Sequence, residues 1–376
     1  QSQRKLKIGI LLRNRHDGPG GLEKVLDVLA QGMAKRDDVD LYFYSLYPLK
    51  YQTFTKSFQK IEYLQTVPYL QKIESFLPNK LGRLLHKWYV HQNGYKLFQK
   101  MMQDQLDVLI TMDLSKQFLI NYPFLKRFKE ESGIPLLSWV HVSLTGSRES
   151  TAQKVKEKIA LFDGHLAISQ GLADELSDEY HAENIELIYN PVDAAEIVPR
   201  NIKKLIYIGR ITKIKRVDSL IKELAQLQGD WHLDIYGSTG SESGDAQFKA
   251  LISALNLEDK ITFHGWQKDA WGMVKEAGVL LLNSTREGFG LVIVEAMQRG
   301  IPVIAADCPV GPAELIHNGV NGWLYPVDEE FRSREYLQKI LDGEVKLPSL
   351  ESVQKSVQGY ETGNYLDNFI KVIKNY

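Results

Sequence analysis

Strand-like runs and amphipathic helices alternate along nearly the whole chain, and the alternation stops and restarts once. The first block opens with KLKIGILL (5–12), a short continuous apolar run of the kind buried on both faces of a parallel sheet. The glycine turn DGPGGLEK and the amphipathic stretch LEKVLDVLAQGMAKR follow it. VDLYFYSL, DVLITM (107–112), PLLSWVH (135–141), GHLAIS (164–169) and IELIYN (185–190) read as further strands with helical stretches between them. NPVDAAEIVPRNIKK (190–204) breaks the pattern with two prolines and a polar run. Beyond it, KLIYIGRI, WHLDIYG, KITFHGW, GVLLLNS, IPVIAAD and GWLYPV again alternate with helices. Strand–helix alternation demands a parallel sheet covered on both faces. The expectation is an α/β protein of two doubly wound, Rossmann-like domains facing across a cleft. The first spans 1–190, a linker 191–204 and the second 205–355. A terminal helix within 356–376 is expected to pack back on the first domain. The 376 residues exceed what one core comfortably holds.

Bulk properties narrow the function. A net charge of −1 argues against a general nucleic-acid binder. One cysteine, Cys308, permits no internal disulfide and suits a reducing compartment. No apolar run reaches the roughly 18 residues of a spanning helix. The expected location is cytoplasmic, with peripheral placement on the inner face of the plasma membrane as its companion reading.

The most informative stretch is EGFGLVIVEAMQRGIPVIAAD (287–307), which places Glu295 inside an apolar helix eight residues after Glu287. A buried, unpaired carboxylate is costly. Gly288 and Gly290 allow a tight turn and close backbone approach to a ligand. The helix that starts near Gly290 or Leu291 presents unpaired amides, an anion site suited to a diphosphate. Helical side chains lean toward the N-terminus, so Glu295 can reach back and take both hydroxyls of a vicinal diol such as a ribose. Glu287, at the strand end, can hold sugar hydroxyls. In YIGRITKIKR (207–216), Arg210 and Lys215 follow a strand and can neutralise a diphosphate. Taken singly, the same residues fit a helix-approach Glu287, a surface Glu295 and a solvated basic loop.

Together these residues resemble a known family. EGFGLVIVEAM fits the Glu-x7-Glu signature of the retaining glycosyltransferases of family 4, which have the GT-B fold. GRITKIKR fits their Arg/Lys phosphate clamp, GPGGLE (18–23) their N-terminal glycine loop, and HGW (264–266) their base-binding strand end. YNPV, GWQKDAW, PVGPAELI and NGWLY look like the bacterial lipopolysaccharide-core α-1,6-galactosyltransferases, which use UDP-galactose. The resemblance implies that Glu295 holds the ribose hydroxyls and Glu287 faces the donor sugar. It implies that Arg210 and Lys215 bind the diphosphate, and that the backbone at Gly288, Phe289, Gly290 and Leu291 touches sugar and phosphate. Gly20 and Gly21 would let the first domain approach the diphosphate and acceptor. His141 matches the family's active-site histidine, its expected partner a donor-sugar hydroxyl; a structural histidine at a strand end is the other reading. His264, Gly265 and Trp266 lie where the base would bind, with backbone groups reading it and Trp266 mainly packing. The implied catalytic residues are His141, Glu287, Arg210 and Lys215.

The implied reaction moves a hexosyl group, galactosyl above all, from a UDP-sugar to a saccharide or glycolipid acceptor through an oxocarbenium-like state. No cofactor is expected, since the UDP-sugar is a substrate. Charge on the departing diphosphate is the main demand, and Arg210, Lys215 and the helix start meet it without a metal. DVD (38–40) has the spelling of an Asp-x-Asp metal motif but reads as a polar turn. Residues 50–129 carry thirteen Lys or Arg against five acids, an excess of eight positive charges interleaved with aromatics. Such a surface can lie on an anionic membrane or simply face solvent. Two rivals remain: a non-catalytic GT-B-fold subunit that binds a partner transferase, and a nicotinamide-dependent dehydrogenase. The second is disfavoured because the first strand is not followed by Gly-x-Gly-x-x-Gly opening a helix.

Overall fold

A computed structural model describes residues 4–13, 21–46, 62–65, 79–112, 114–328, 332–361 and 363–376. The chain forms two compact units, Gln1–Tyr189 with Asn364–Tyr376, and Asn190–Gly363.

Among the described residues the first unit holds a parallel sheet of seven strands. They are β1 (Leu6–Leu11), β2 (Val39–Ser45), β3 (Glu62–Gln65), β4 (Val108–Thr111), β5 (Leu136–Val140), β6 (Gly164–Ala167) and β7 (Ile185–Leu187). Their order is β3-β2-β1-β4-β5-β6-β7. Ile8 of β1 sits opposite Leu41 on one side and Val108 on the other, so apolar strands face apolar strands across the centre. β4, β5 and β6 are buried along their whole length, and the polar residues they carry, Thr111, Ser138 and His165, are buried with them. The helix Gly21–Ala34 buries Leu22, Val25, Leu26, Leu29, Ala30 and Met33, the stripe that a 3.6-residue period puts on one face. β3 escapes a sequence reading because EYLQ is four residues long and not apolar.

The chain's last helix, Tyr365–Ile373, belongs to this first unit. It buries Tyr365, Phe369, Ile370 and Ile373. The Phe369 ring lies 5.4 Å from that of Trp139 on β5, and Asp367 pairs with Arg36 at 2.6 Å. Gly32 leaves room for Leu366, since a β-carbon there would meet it at 2.1 Å. Residues 356–363 group with the second unit, so the segment that joins the first is shorter than the expected 356–376.

Among the described residues the second unit holds a six-stranded parallel sheet: β8 (Arg200–Ile208), β9 (His232–Tyr236), β10 (Ile261–Gly265), β11 (Ala277–Leu282), β12 (Val303–Asp307) and β13 (Gly322–Pro326). The order is β10-β9-β8-β11-β12-β13. Residues 200–204, expected in the linker, are the start of β8. Their side chains are half-buried or exposed, while Leu205, Ile206 and Tyr207 carry the strand into the core, so the polar run concealed a strand. The strand order reverses between β8 and β11, and in such sheets ligands bind outside the carboxyl ends at that switch point.

Candidate active site

The loops leaving β8 and β11 are tied together at the switch point of the second unit. Thr285 N–H donates to the Ile214 carbonyl at 2.8 Å. Arg216, in the left-handed region at φ 47°, reaches across with its guanidinium. Its Nε donates to the Asn283 carbonyl at 2.9 Å and its Nη1 to the Val327 carbonyl at 2.9 Å. Asn283 returns a bond to the Arg216 carbonyl at 3.1 Å and accepts one from the Tyr325 hydroxyl at 2.7 Å. The scaffold therefore holds the basic loop 209–216 against the glutamate loop 283–290.

On that scaffold Lys215 Nζ and Glu287 Oε1 form an ion pair, and Ser284 Oγ donates to the same oxygen at 2.7 Å. The side chains keep 22% and 11% of their surface exposed, so the pair is largely covered but still partly reached by solvent. Its field reaches Cys308, whose thiol burial and the Glu287 charge push up to about 12. Burial and the same carboxylate raise the Tyr207 phenol, whose hydroxyl donates to the Arg210 carbonyl at 2.7 Å. Arg210 is exposed at the mouth of this loop. Gly290 takes φ 91° as the cap of the helix Leu291–Gln298, a conformation open to glycine. Gly288 and Phe289 are buried, and the Phe289 ring packs 5.4 Å from that of Tyr360. The helix thus begins four residues after Glu287, and its first turn carries the positive end of the helix dipole.

Glu295 is half-buried one turn into that helix. Its Oε2 accepts from Trp271 Nε1 at 2.6 Å, a partner nothing in the sequence disclosed. The segment 264–266, expected to meet the base, makes contacts within its own unit. His264 Nε2 meets Asp234 Oδ1 at 2.8 Å, and its ring stacks on Tyr236 at 4.4 Å. The Gly265 carbonyl accepts from Gly237 N–H at 2.9 Å. Trp266, expected mainly to pack, leaves 46% of its surface exposed. Gly237 is required by a close approach, since a β-carbon there would lie 1.8 Å from the Gly209 carbonyl.

Two expected site residues among the described ones, His141 and Gly21, belong to the first unit. His141 follows β5, its ring 4.5 Å from that of Trp139. The residue is half-buried, but its Nε2 is sealed and has no partner among the described residues. Desolvation, reinforced by the Arg13 charge, depresses its pKa to about 3, so it is neutral. The loop after it is pinned by the buried Glu175, which accepts from Leu144 N–H at 2.7 Å and Ser143 Oγ at 3.0 Å. Glu175 was likewise not legible beforehand. Gly21 opens the first helix with clear space around it, and Gly20 lies outside the described residues. In DVD, Asp38 pairs with Arg36 at 2.8 Å, and Asp40 lies in β2 rather than in a turn.

Known proteins match this chain along both units. The family described as Glycosyltransferase Family 4 matches residues 19–196, and that described as Glycosyl transferases group 1 matches 193–356. The chain is 33% identical to the lipopolysaccharide 1,6-galactosyltransferase of Escherichia coli over 313 residues, 80% of this chain and 82% of that protein. It is 29% identical to the enzyme of the same name from Salmonella typhimurium over 325 residues, 83% and 84% of the two chains. Among solved structures, a lipopolysaccharide outer core galactosyltransferase aligns with a TM-score of 0.74 and 25% identity, covering 98% of this chain and 99% of that one. A basic loop, two glutamates and a glycine-capped helix at one switch point, together with these likenesses, make the chain a glycosyltransferase of family 4 with the GT-B fold.

Proposed function

We propose that the chain is a retaining hexosyltransferase that takes a UDP-sugar, UDP-galactose first, and transfers the sugar to a saccharide or glycolipid acceptor of the cell surface. The Lys215–Glu287 pair beside the glycine-capped helix carries this reading. It sets a cation for a diphosphate next to a carboxylate for sugar hydroxyls, within reach of helix-start amides. Arg210 adds a second cation from the same loop, and Glu295 takes the ribose hydroxyls. Relatives that transfer galactose onto lipopolysaccharide support the choice of sugar and acceptor class.

In the proposed chemistry the bond from the anomeric carbon to the diphosphate oxygen breaks as the acceptor oxygen approaches the same face. The acceptor proton passes to the departing phosphate. Lys215, Arg210 and the helix dipole stabilise the charge that builds on the diphosphate. Glu287, already engaged by Lys215 and Ser284, serves as a binding group rather than a nucleophile. Neutral His141 donates to or accepts from a sugar hydroxyl. We take the charge stabilisation to come from these groups and not from a metal.

Membrane contact is part of the proposal. No helix among the described residues is long and apolar enough to cross a membrane. The helix Asn79–Asp104, however, exposes Leu81, Leu84 and Trp88 along one side, with exposed Lys80 and Lys87 beside them. The acidic and basic residues at 50, 56, 60, 72, 74 and 113 lie outside the described residues.

The test is incubation with UDP-galactose, UDP-glucose or UDP-N-acetylglucosamine and a core-oligosaccharide acceptor, with and without EDTA. Proton NMR of the product reads the anomeric configuration. Galactosyl transfer with α-configuration, unchanged by EDTA, is expected. An inverted product, or loss of transfer on chelation, overturns the mechanism, and transfer from a different donor overturns the choice of sugar.

A further inference from the structure

The carboxylate assigned to the donor ribose is held from behind by a three-residue assembly. Trp271 Nε1 donates to Glu295 Oε2 at 2.6 Å, a short charge-assisted bond. Trp271 rides on a single turn, Ala270–Met273, that Asp269 fixes by accepting from Gly272 N–H at 3.0 Å. On the other side, Arg299 lays its guanidinium 4.4 Å from the indole centroid. The same guanidinium donates to the Glu295 carbonyl at 2.8 Å. The indole is therefore clamped between a cation on its face and an anion at its edge, and both come from one helix segment, 295–299.

This arrangement has a consequence for selectivity. A glutamate carboxylate rotates freely about its last torsion, a broad two-fold well. A vicinal diol needs two acceptor directions presented at once, and a site tuned to hydroxyls rejects an analogue lacking one because its polar groups are then left unpaired. Anchoring one oxygen fixes the plane of the group before the ligand arrives, and preorganised groups bind and discriminate more strongly.

We propose that Trp271 is a positioning residue whose indole N–H orients Glu295 and so sets the preference for a ribonucleotide donor over its 2′-deoxy counterpart. The proposal rests on the reading of Glu295 as the ribose-binding carboxylate. Removing the N–H lets the carboxylate swing away from the diol. Ribonucleotide affinity then falls about tenfold while deoxyribonucleotide affinity changes less than about twofold.

The experiment measures dissociation constants for UDP and 2′-deoxy-UDP by calorimetry on the full chain, for the unmodified protein, W271F and E295A. Phenylalanine keeps an aromatic ring for Arg299 and deletes the donor together with the pyrrole part of the indole. A preference that collapses in E295A and drops at least about fivefold in W271F supports the proposal. Collapse in E295A with an unchanged preference in W271F overturns it. An unchanged preference in E295A overturns instead the ribose assignment of Glu295. Should W271F fail to fold, the unmodified protein labelled with 15N-tryptophan serves. The Trp271 indole resonance, identified by its displacement in E295A, moves further on adding UDP than on adding 2′-deoxy-UDP. Equal movement with both ligands, or none, overturns the proposal.

Discussion

Lys215 and Glu287 form an ion pair across 72 residues of sequence, joining the loop after β8 to the loop after β11. Each partner lowers the cost of placing the other in a half-buried opening. The pair also poses a competition, because the lysine that balances Glu287 is the one expected to meet the diphosphate. E287Q keeps the shape and removes the charge. Turnover in E287Q is expected to fall about 100-fold. UDP affinity is expected to hold or rise, since Lys215 is released. K215A is expected to weaken UDP binding about tenfold or more, the 1.5–3 kcal/mol of a charged hydrogen bond being roughly the scale. Steady-state kinetics beside UDP titrations separates the two. Equal loss of UDP affinity in both variants contradicts the division of roles.

Arg216 is the bridge beneath that pair. Its guanidinium serves the Asn283 and Val327 carbonyls at 2.9 Å each, and truncation leaves both without this donor. R216A is expected to cost about 2–3 kcal/mol of stability in urea unfolding. R216K, which has one point donor in place of a fork, is expected to recover less than half. UDP affinity should fall in parallel, because the clamp loop loses its tie to the glutamate loop. A variant as stable as the parent, with unchanged UDP binding, removes Arg216 from the account.

What could be read in advance was local in the chain. EGFG followed by an apolar helix encodes a capped turn and a carboxylate one turn later, and strand–helix alternation encodes two doubly wound sheets. The supports were not legible, because their partners are distant. Trp271 meets Glu295 from 24 residues away, Arg216 meets Asn283 from 67, and Glu175 holds Leu144 from 31. Nothing in a sequence window says which tryptophan will face which glutamate. Composition misled at the start of β8, whose polar first residues read as linker, and Trp266, which the resemblance had mainly packing, keeps 46% of its surface exposed.

His165 makes the first unit sensitive to acid. It is 2% exposed between β5 and β7, and its Nδ1 lies 2.6 Å from Ser138 Oγ. Desolvation lowers its pKa to about 4. In the unfolded chain it titrates near 6.5. Between these values the unfolded state binds a proton that the folded state refuses. The stabilising contribution is complete above about pH 6.5 and is lost as pH falls toward 4, by at most about 1.4 kcal/mol per pH unit. His141, depressed to about 3, adds a like contribution, so urea unfolding at pH 7.5, 6 and 5 should show the slope of both residues, and H165Q should remove about half of it. An identical slope in H165Q assigns the acid sensitivity elsewhere.

Leu84 and Trp88 are 64% and 59% exposed on the basic helix Asn79–Asp104. Apolar side chains beside lysines gain by burial at an anionic lipid surface. L84S/W88S is expected to lower binding to phosphatidylglycerol vesicles about tenfold while leaving the melting temperature within about 1 °C. Neutral phosphatidylcholine vesicles should bind the parent protein weakly. Vesicle sedimentation with equal binding by parent and variant shows that this face is not the contact.

His141 is kept neutral by its surroundings, and that limits what it can do in turnover. Its Nε2 is sealed beside Trp139, and Arg13 adds positive charge nearby, which together hold the pKa at about 3. A histidine acting as general base near neutrality needs a pKa close to the working pH and gives an acid limb in the rate profile. The expectation here is the opposite. The kcat/KM for the donor should show no ionisation of His141 between pH 5 and 8, and if His141 bonds the donor sugar as proposed, H141A should lower kcat about 100-fold. H141Q, which retains a polar group, should recover part of that loss with the same flat profile. An acid limb centred near pH 6.5 that is present in the parent and absent in H141Q would show instead that His141 gains and loses a proton during the cycle.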